Sequence, residues 1–202
     1  METLLPLLGF VVAATCTPGP NNLMVLASGA NYGLVRSIPH IAGITIGFPV
    51  MMVAVGLGLG FVFQSYPIVT QVLKYAAFIY LLWLAWQIAS AGRPKAKSID
   101  TRPFNLLQAA AFQWVNPKGW AFVLAAMALY TTGGGNRLVE VLIVAGLFAV
   151  VAVPNLVVWA LFGRAIAGFL EDDTRRRWFN IAMAVLLVVS VVPVLFETAS
   201  LA

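Results

Sequence analysis

Six long apolar runs alternate with short polar stretches along the chain, at residues 4–28, 38–63, 68–90, 104–131, 138–163 and 178–199. At about 20 apolar residues per crossing, each is long enough to traverse the hydrocarbon core of a bilayer as a helix. The stretches between them read GANYGLVRS, QSYPIVTQ, AGRPKAKSIDTRP, TGGGNR and EDDTRRR. The longest, residues 91–103, divides the chain near its middle. The pattern predicts an all-α integral membrane fold of six transmembrane helices in one domain, 1–202. Its parts are a three-helix unit (1–92), a linker (93–103) and a second three-helix unit (104–202).

Two of the runs are interrupted at mid-length, at corresponding places. The first carries Thr17-Pro18-Gly19-Pro20-Asn21-Asn22 and the fourth Asn116-Pro117-Lys118-Gly119, with Pro18 and Pro117 separated by 99 residues. A proline inside a helix removes a backbone donor and blocks the preceding turn. Thr17 and Asn116 suit an N-cap, each followed by proline at N1, with Pro20 then at N3. Each helix is therefore expected to stop and restart inside the membrane. A unit with an odd number of crossings, once duplicated, inserts its copies in opposite senses, which predicts a 3+3 inverted repeat with broken helices 1 and 4. The restarted ends would meet at one depth, each carrying roughly half a positive charge.

Composition sharpens this picture. The chain is 61% apolar and 9% charged with a mean hydropathy of +0.94, against about 25% charged residues in a soluble domain. The net charge of +5 does not indicate nucleic acid, because the basic residues lie beside helix ends. Arg36, Arg93, Lys95, Lys97, Arg102, Arg164, Arg175, Arg176 and Arg177 fall in alternate loops, whereas Lys74 and Arg137 fall in the opposite set. By the positive-inside rule the larger set is cytoplasmic, so both termini are expected outside. The opening residues lack a basic leader, and the single cysteine, Cys16, excludes an intrachain disulfide.

Lys118 completes the twelve basic residues, and it sits within a span. A lysine at the centre of a helix costs about 2.5–3.5 kcal/mol on insertion scales, so it is expected to face a cavity. Backbone N–H groups, the amides of Asn21, Asn22 and Asn116, and the Lys118 ammonium would converge there on an anionic group such as a carboxylate. Gln113, one turn before Asn116, joins them by helical spacing. Against this, proline kinks often only shape packing; two matched kinks with capping residues and a lysine favour a site. Asn155, after Pro154, reads equally as glue between helices or as a ligand group. His40 reads first as a satisfied residue near a membrane end. Gly43, Gly47, Gly56, Gly58 and Gly60 read as close helix contacts, which leaves room for a homodimer.

TPGPNN in the first run and NPKGW in the fourth, in a six-helix chain of this length, resemble the LysE/RhtB amino-acid exporters over nearly the whole sequence. The resemblance implies a bacterial inner-membrane exporter of amino acids, driven by the proton-motive force, with no cofactor. The motif positions it carries are Thr17, Pro18, Gly19, Pro20, Asn21, Asn116, Pro117, Lys118 and Gly119. Proton coupling usually uses a buried carboxylate or histidine, and no Asp or Glu lies near the middle of any run. Lys118, His40 and Glu140 remain as alternatives. An efflux carrier for divalent cations would want carboxylates, thiolates or imidazoles where this chain offers amides and a lysine. An enzyme would want a general base or a metal cluster. A channel remains open on composition, and the substrate's side chain is not readable.

Overall fold

The computed structural model describes residues 4–59, 65, 67–90, 103–131 and 136–190, and every regular element among them is helical. Helices α1 (Leu4–Cys16) and α2 (Pro20–Tyr32) lie in the first apolar run and meet at a bend of 52°. Helix α3 (Leu34–Ala54) runs into a π turn, Val55–Leu59, where Gly58 leaves the helix at φ 136°. Helix α4 spans Pro67–Ala89. Helix α5 (Leu106–Phe112) tightens into a 3-10 turn, Gln113–Val115, before α6 (Pro117–Tyr130). Helix α7 (Arg137–Ile166), a 3-10 turn at Phe169–Glu171 and α8 (Asp173–Val189) follow.

Two expectations about boundaries change. The polar stretch 29–37 is not a loop: helix continues to Tyr32 and resumes at Leu34, and Gly33 alone makes the joint at φ 79°. A positive φ at one glycine is enough to redirect the chain. The charged stretch 171–177 is mostly the first turn of α8, with Asp172 as N-cap accepting from the Arg175 N–H at 2.9 Å. Among the described residues, fewer than six helices are by themselves long and apolar enough to cross a membrane. By length and composition, α3 with its π turn and α7 can each cross a membrane, and the bent α1–α2 pair makes a third. Helices α5 and α6 are each short because the break divides them, and α8 opens on charged residues. Residues 60–63 and 191–199, the expected ends of two runs, lie outside the described residues, as do Arg93, Lys95, Lys97, Arg102 and the side chain of Lys74.

The helices form one bundle with two buried clusters. Val11, Ile44, Phe48, Met51, Val123, Val144 and Phe148 join α1, α3, α6 and α7. Leu23, Leu81, Leu84, Phe112 and Leu187 join α2, α4, α5 and α8. Outward faces are apolar as well, with Leu5 77%, Leu107 76% and Val150 71% exposed. Faces of that kind suit lipid and not water. At one end of the bundle, main chains touch directly. Gly29 of α2 lies against the backbone of Ala160 in α7, and Gly163 lies against Leu26 and Ala30. Gly43 and Gly47 of α3 meet α5 at Leu106, Ala109 and Ala110. A Cβ at any of these glycines would collide with its neighbour, so small residues set the spacing of these helices. Toward the other end, the Arg137 Nε donates to the Gly56 carbonyl at 2.6 Å.

Candidate functional site

The two breaks are built differently. Thr17 does not cap the restarted helix, as its place in the sequence suggested. Its hydroxyl donates backward to the Ala13 carbonyl at 2.5 Å, closing the last turn of α1. The cap is Gly19, extended at φ −170° and without a side-chain bond, and Pro20 occupies N1. Pro20 itself explains the register, because a residue before proline is pushed out of the helical region. The second break follows the expectation. Asn116 is the N-cap, its Oδ1 accepts from the Gly119 N–H at 3.3 Å, and Pro117 sits at N1.

The broken spans are tied to one another by side chains from both units. Asn21 and Gln113 exchange a reciprocal pair of bonds: the Asn21 Nδ2 donates to the Gln113 Oε1 at 2.8 Å, and the Gln113 Nε2 donates back to the Asn21 Oδ1 at 3.2 Å. Gln113 is fully buried and also donates to the Ala109 carbonyl. The Lys118 ammonium donates to the carbonyls of Thr17 at 2.6 Å and Pro18 at 3.3 Å. A cation beside the last carbonyls of α1 is favoured by the helix dipole. Gly19 permits this approach, since a Cβ there would stand 2.6 Å from the Lys118 Cδ and 2.9 Å from its Nζ. Further toward α1, the Asn22 Nδ2 and the Asn155 Nδ2 both donate to the Thr15 carbonyl, at 2.7 and 2.8 Å. Asn22 also reaches the Thr17 carbonyl at 3.1 Å. Backbone acceptors released by the first break are thus met by two asparagines and a lysine.

A cleft of about 470 Å³ opens on this arrangement. Gly19, Pro20, Asn21 and Asn22 line it from the start of α2, and Asn116, Lys118 and Gly119 line it from the start of α6. The expected residues therefore divide. Thr17, Pro18, Gln113 and Pro117 do not line the cleft; the first two supply carbonyls to Lys118, Gln113 braces Asn21, and Pro117 starts α6. Asn155, left open in the sequence between helix glue and ligand group, contributes a fourth amide to the wall; Phe48, Phe122 and Phe148, which were not foreseen, form an aromatic side. Phe48 stacks on Phe148 at 4.3 Å between ring centroids, and Phe122 stacks on Phe10 at 5.1 Å. The Pro154-Asn155 pair, which repeats the proline-with-asparagine pattern of the breaks, was the signal for Asn155.

Of the three candidates for coupling, only Lys118 lines the cleft. Glu140 lies in the first turn of α7, away from it. His40 is 2% exposed in α3 and lines a different cavity. It is not the satisfied residue expected from sequence, because neither ring nitrogen has a hydrogen-bond partner among the described residues.

A family profile described as "LysE type translocator" matches residues 12–197. A cysteine/O-acetylserine efflux protein of Escherichia coli O1:K1 / APEC is 29% identical over 188 residues, covering 93% of this chain and 94% of its own length. Proteins of the same description from Escherichia coli strain K12 and Shigella flexneri serotype 5b are each 28% identical with the same coverage. No solved structure matches the chain. The profile spans both helix breaks and nearly all of the bundle, and the chain belongs to the LysE-type translocator family.

Proposed function

We propose that the protein exports a small amino acid, in the size range of cysteine or O-acetylserine, across the bacterial inner membrane, and that the cleft between the two breaks holds it. The observation that carries this reading is the meeting of two restarted helix ends and one lysine at a single cavity. The ammonium has three donors. Two go to Thr17 and Pro18, and the third serves the substrate carboxylate, together with first-turn N–H groups of α2 and α6. The substrate ammonium needs acceptors. The amide oxygens of Asn22 and Asn155 suit the role, since their nitrogens are turned to Thr15. The phenyl wall takes the side chain and excludes water, which strengthens each of these contacts.

The reading includes six crossings in two inverted units. Its support is in the pairing of elements: α3 packs on α7 and α4 on α8, each against its counterpart, while α1 packs on α7 as α5 packs on α3. A two-fold axis in the membrane plane produces such exchanged pairs. Transport then proceeds by rocking one unit on the other about the cleft. The cytoplasmic side is assigned to the end bearing Arg36, Arg164 and Arg175. That end is drawn together by Gly29 against Ala160 and by a bond from the Asn31 Nδ2 to the Asn180 Oδ1 at 3.0 Å. Both termini are then periplasmic. The cleft is complete within one chain, so the reading requires no second copy. Proton coupling is assigned to Lys118, the candidate that lines the cleft.

Efflux from proteoliposomes loaded in turn with each amino acid and with O-acetylserine, with and without a pH gradient, tests the reading. Saturable export of a small amino acid by the wild type, abolished in Lys118→Ala and Asn116→Ala proteins that still insert, is the expected result. Wild-type efflux from either variant would remove the cleft from the mechanism.

A further inference from the structure

The second cavity, about 510 Å³, opens between α2, α3, α4 and the segment entering α5. It is built on the same helix as the central cleft. Asn22 lines the cleft near the start of α2, and Ser28, Asn31 and Tyr32 line the second cavity near its end. Nine residues at 1.5 Å each place Asn31 about 13 Å along the helix axis from Asn22. This is the end of the bundle assigned above to the cytoplasm.

Its polar groups are incompletely used. His40 is buried to 2% exposure and lines this cavity, yet neither ring nitrogen has a partner among the described residues. The Asn31 Nδ2 donates to the Ala27 carbonyl and to the Asn180 Oδ1, while its own Oδ1 has no partner. Buried polar atoms are ordinarily paired, and those that are not ask for an occupant. A neutral imidazole offers one donor and one acceptor. Ser28 adds a hydroxyl: the Ser37 Oγ donates to the Gly33 carbonyl, so Ser28 is the donor in their 2.8 Å contact and keeps its lone pairs. Among the described residues no Asp, Glu, Lys or Arg lines the cavity, and Met24, Leu84 and Phe104 supply an apolar side. The Phe104 ring lies 5.4 Å from the His40 ring.

We infer that this cavity is a second binding site, which takes a small zwitterion of no net charge before it passes to the central cleft. Unpaired acceptors on Asn31 and His40 suit an ammonium, and the imidazole N–H suits a carboxylate oxygen, so the two ends of a zwitterion are both met. The inference rests on the export reading and extends it from one site to two.

His40 is the chain's only histidine, so its ring gives a unique signal in ¹⁵N-histidine-labelled protein held in lipid nanodiscs. O-acetylserine is titrated while equilibrium dialysis counts the molecules bound. The expected result is two bound per chain, with a saturable shift of the His40 ring nitrogens that persists in Lys118→Ala, where the count falls to one. His40→Phe should also lower the count to one. Because the wild-type signal is read directly, a variant that fails to fold does not decide the outcome. One molecule bound, lost in Lys118→Ala, with the ring unmoved, overturns the second site and leaves the export reading standing. A ring shift seen only while Lys118 is present likewise overturns it, since the signal then reports the cleft. No binding and no shift with O-acetylserine or any of the twenty amino acids overturns both.

Discussion

The two helix breaks carry related sequences and solve the same problem in opposite ways. The break at Asn116 is satisfied from within: its cap bonds Gly119, the 3-10 turn draws in the preceding residues, and the Trp120 Nε1 donates to the Trp114 carbonyl at 2.9 Å. The break at Thr17–Gly19 has no side-chain cap and depends on others, namely Lys118 and Asn155 from the second unit and Asn22 from α2. The second break is thus a rigid frame that lends its lysine to the first. Helix breaks in apolar bundles are tolerated where neighbouring helices supply the missing partners, and here most of the supply runs in one direction.

That asymmetry can be tested by removing one support at a time. Lys118→Met should have the largest effect, because it strips two charge-assisted bonds from the first break and the cation from the cleft. At about 1.5–3 kcal/mol for a bond to a charged group, substrate affinity should fall by about 10- to 100-fold, read by equilibrium binding. Lys118→Arg sharpens the assignment. A guanidinium keeps the charge but does not deprotonate, so binding should survive in part while efflux loses its dependence on a pH gradient. Gln113→Leu should come next, leaving Asn21 without its buried partner at a cost of about 1–3 kcal/mol. Adding Asn21→Leu should recover much of that stability, as measured by thermal unfolding in detergent. Asn116→Ala should cost about 1 kcal/mol as a lost cap, and Asn116→Ser should restore it. Gly119→Ala should matter least to stability, since its Cβ would meet side chains and not backbone, the edge of the Phe48 ring at 3.2 Å and the Asn116 amide at 3.4 Å. If Gly19→Ala, whose Cβ would displace the ammonium, proved equally silent in transport, the dependence of the first break on Lys118 would be refuted.

How far these features could be read from sequence follows the same division. Asn116-Pro117 was legible because cap and N1 preferences act within four residues. Thr17 misled because two prolines compete there, and because a threonine hydroxyl can bond backward along its own helix as well as forward. The identity of the cleft was visible in Asn21, Asn22 and Lys118, which are polar where polarity is costly. Its aromatic wall was not, since Phe48, Phe122 and Phe148 are individually ordinary in a chain this apolar and gain meaning only from which helices meet. His40 was underread for a related reason: proximity to a span's end says nothing about whether a neighbour stands within reach of its ring. The joint at Gly33 was hidden by polar residues on both sides that turned out to be helical.

One consequence follows from the glycine contacts at the arginine-bearing end. Where Gly29 meets Ala160, and Gly163 meets Leu26 and Ala30, main chain rests on main chain with no long side chain between them. Such a seam has no rotamers through which to loosen by degrees, so it should hold or part as a unit. A closure of that kind would leave no half-open passage through which ions could leak while cargo crosses.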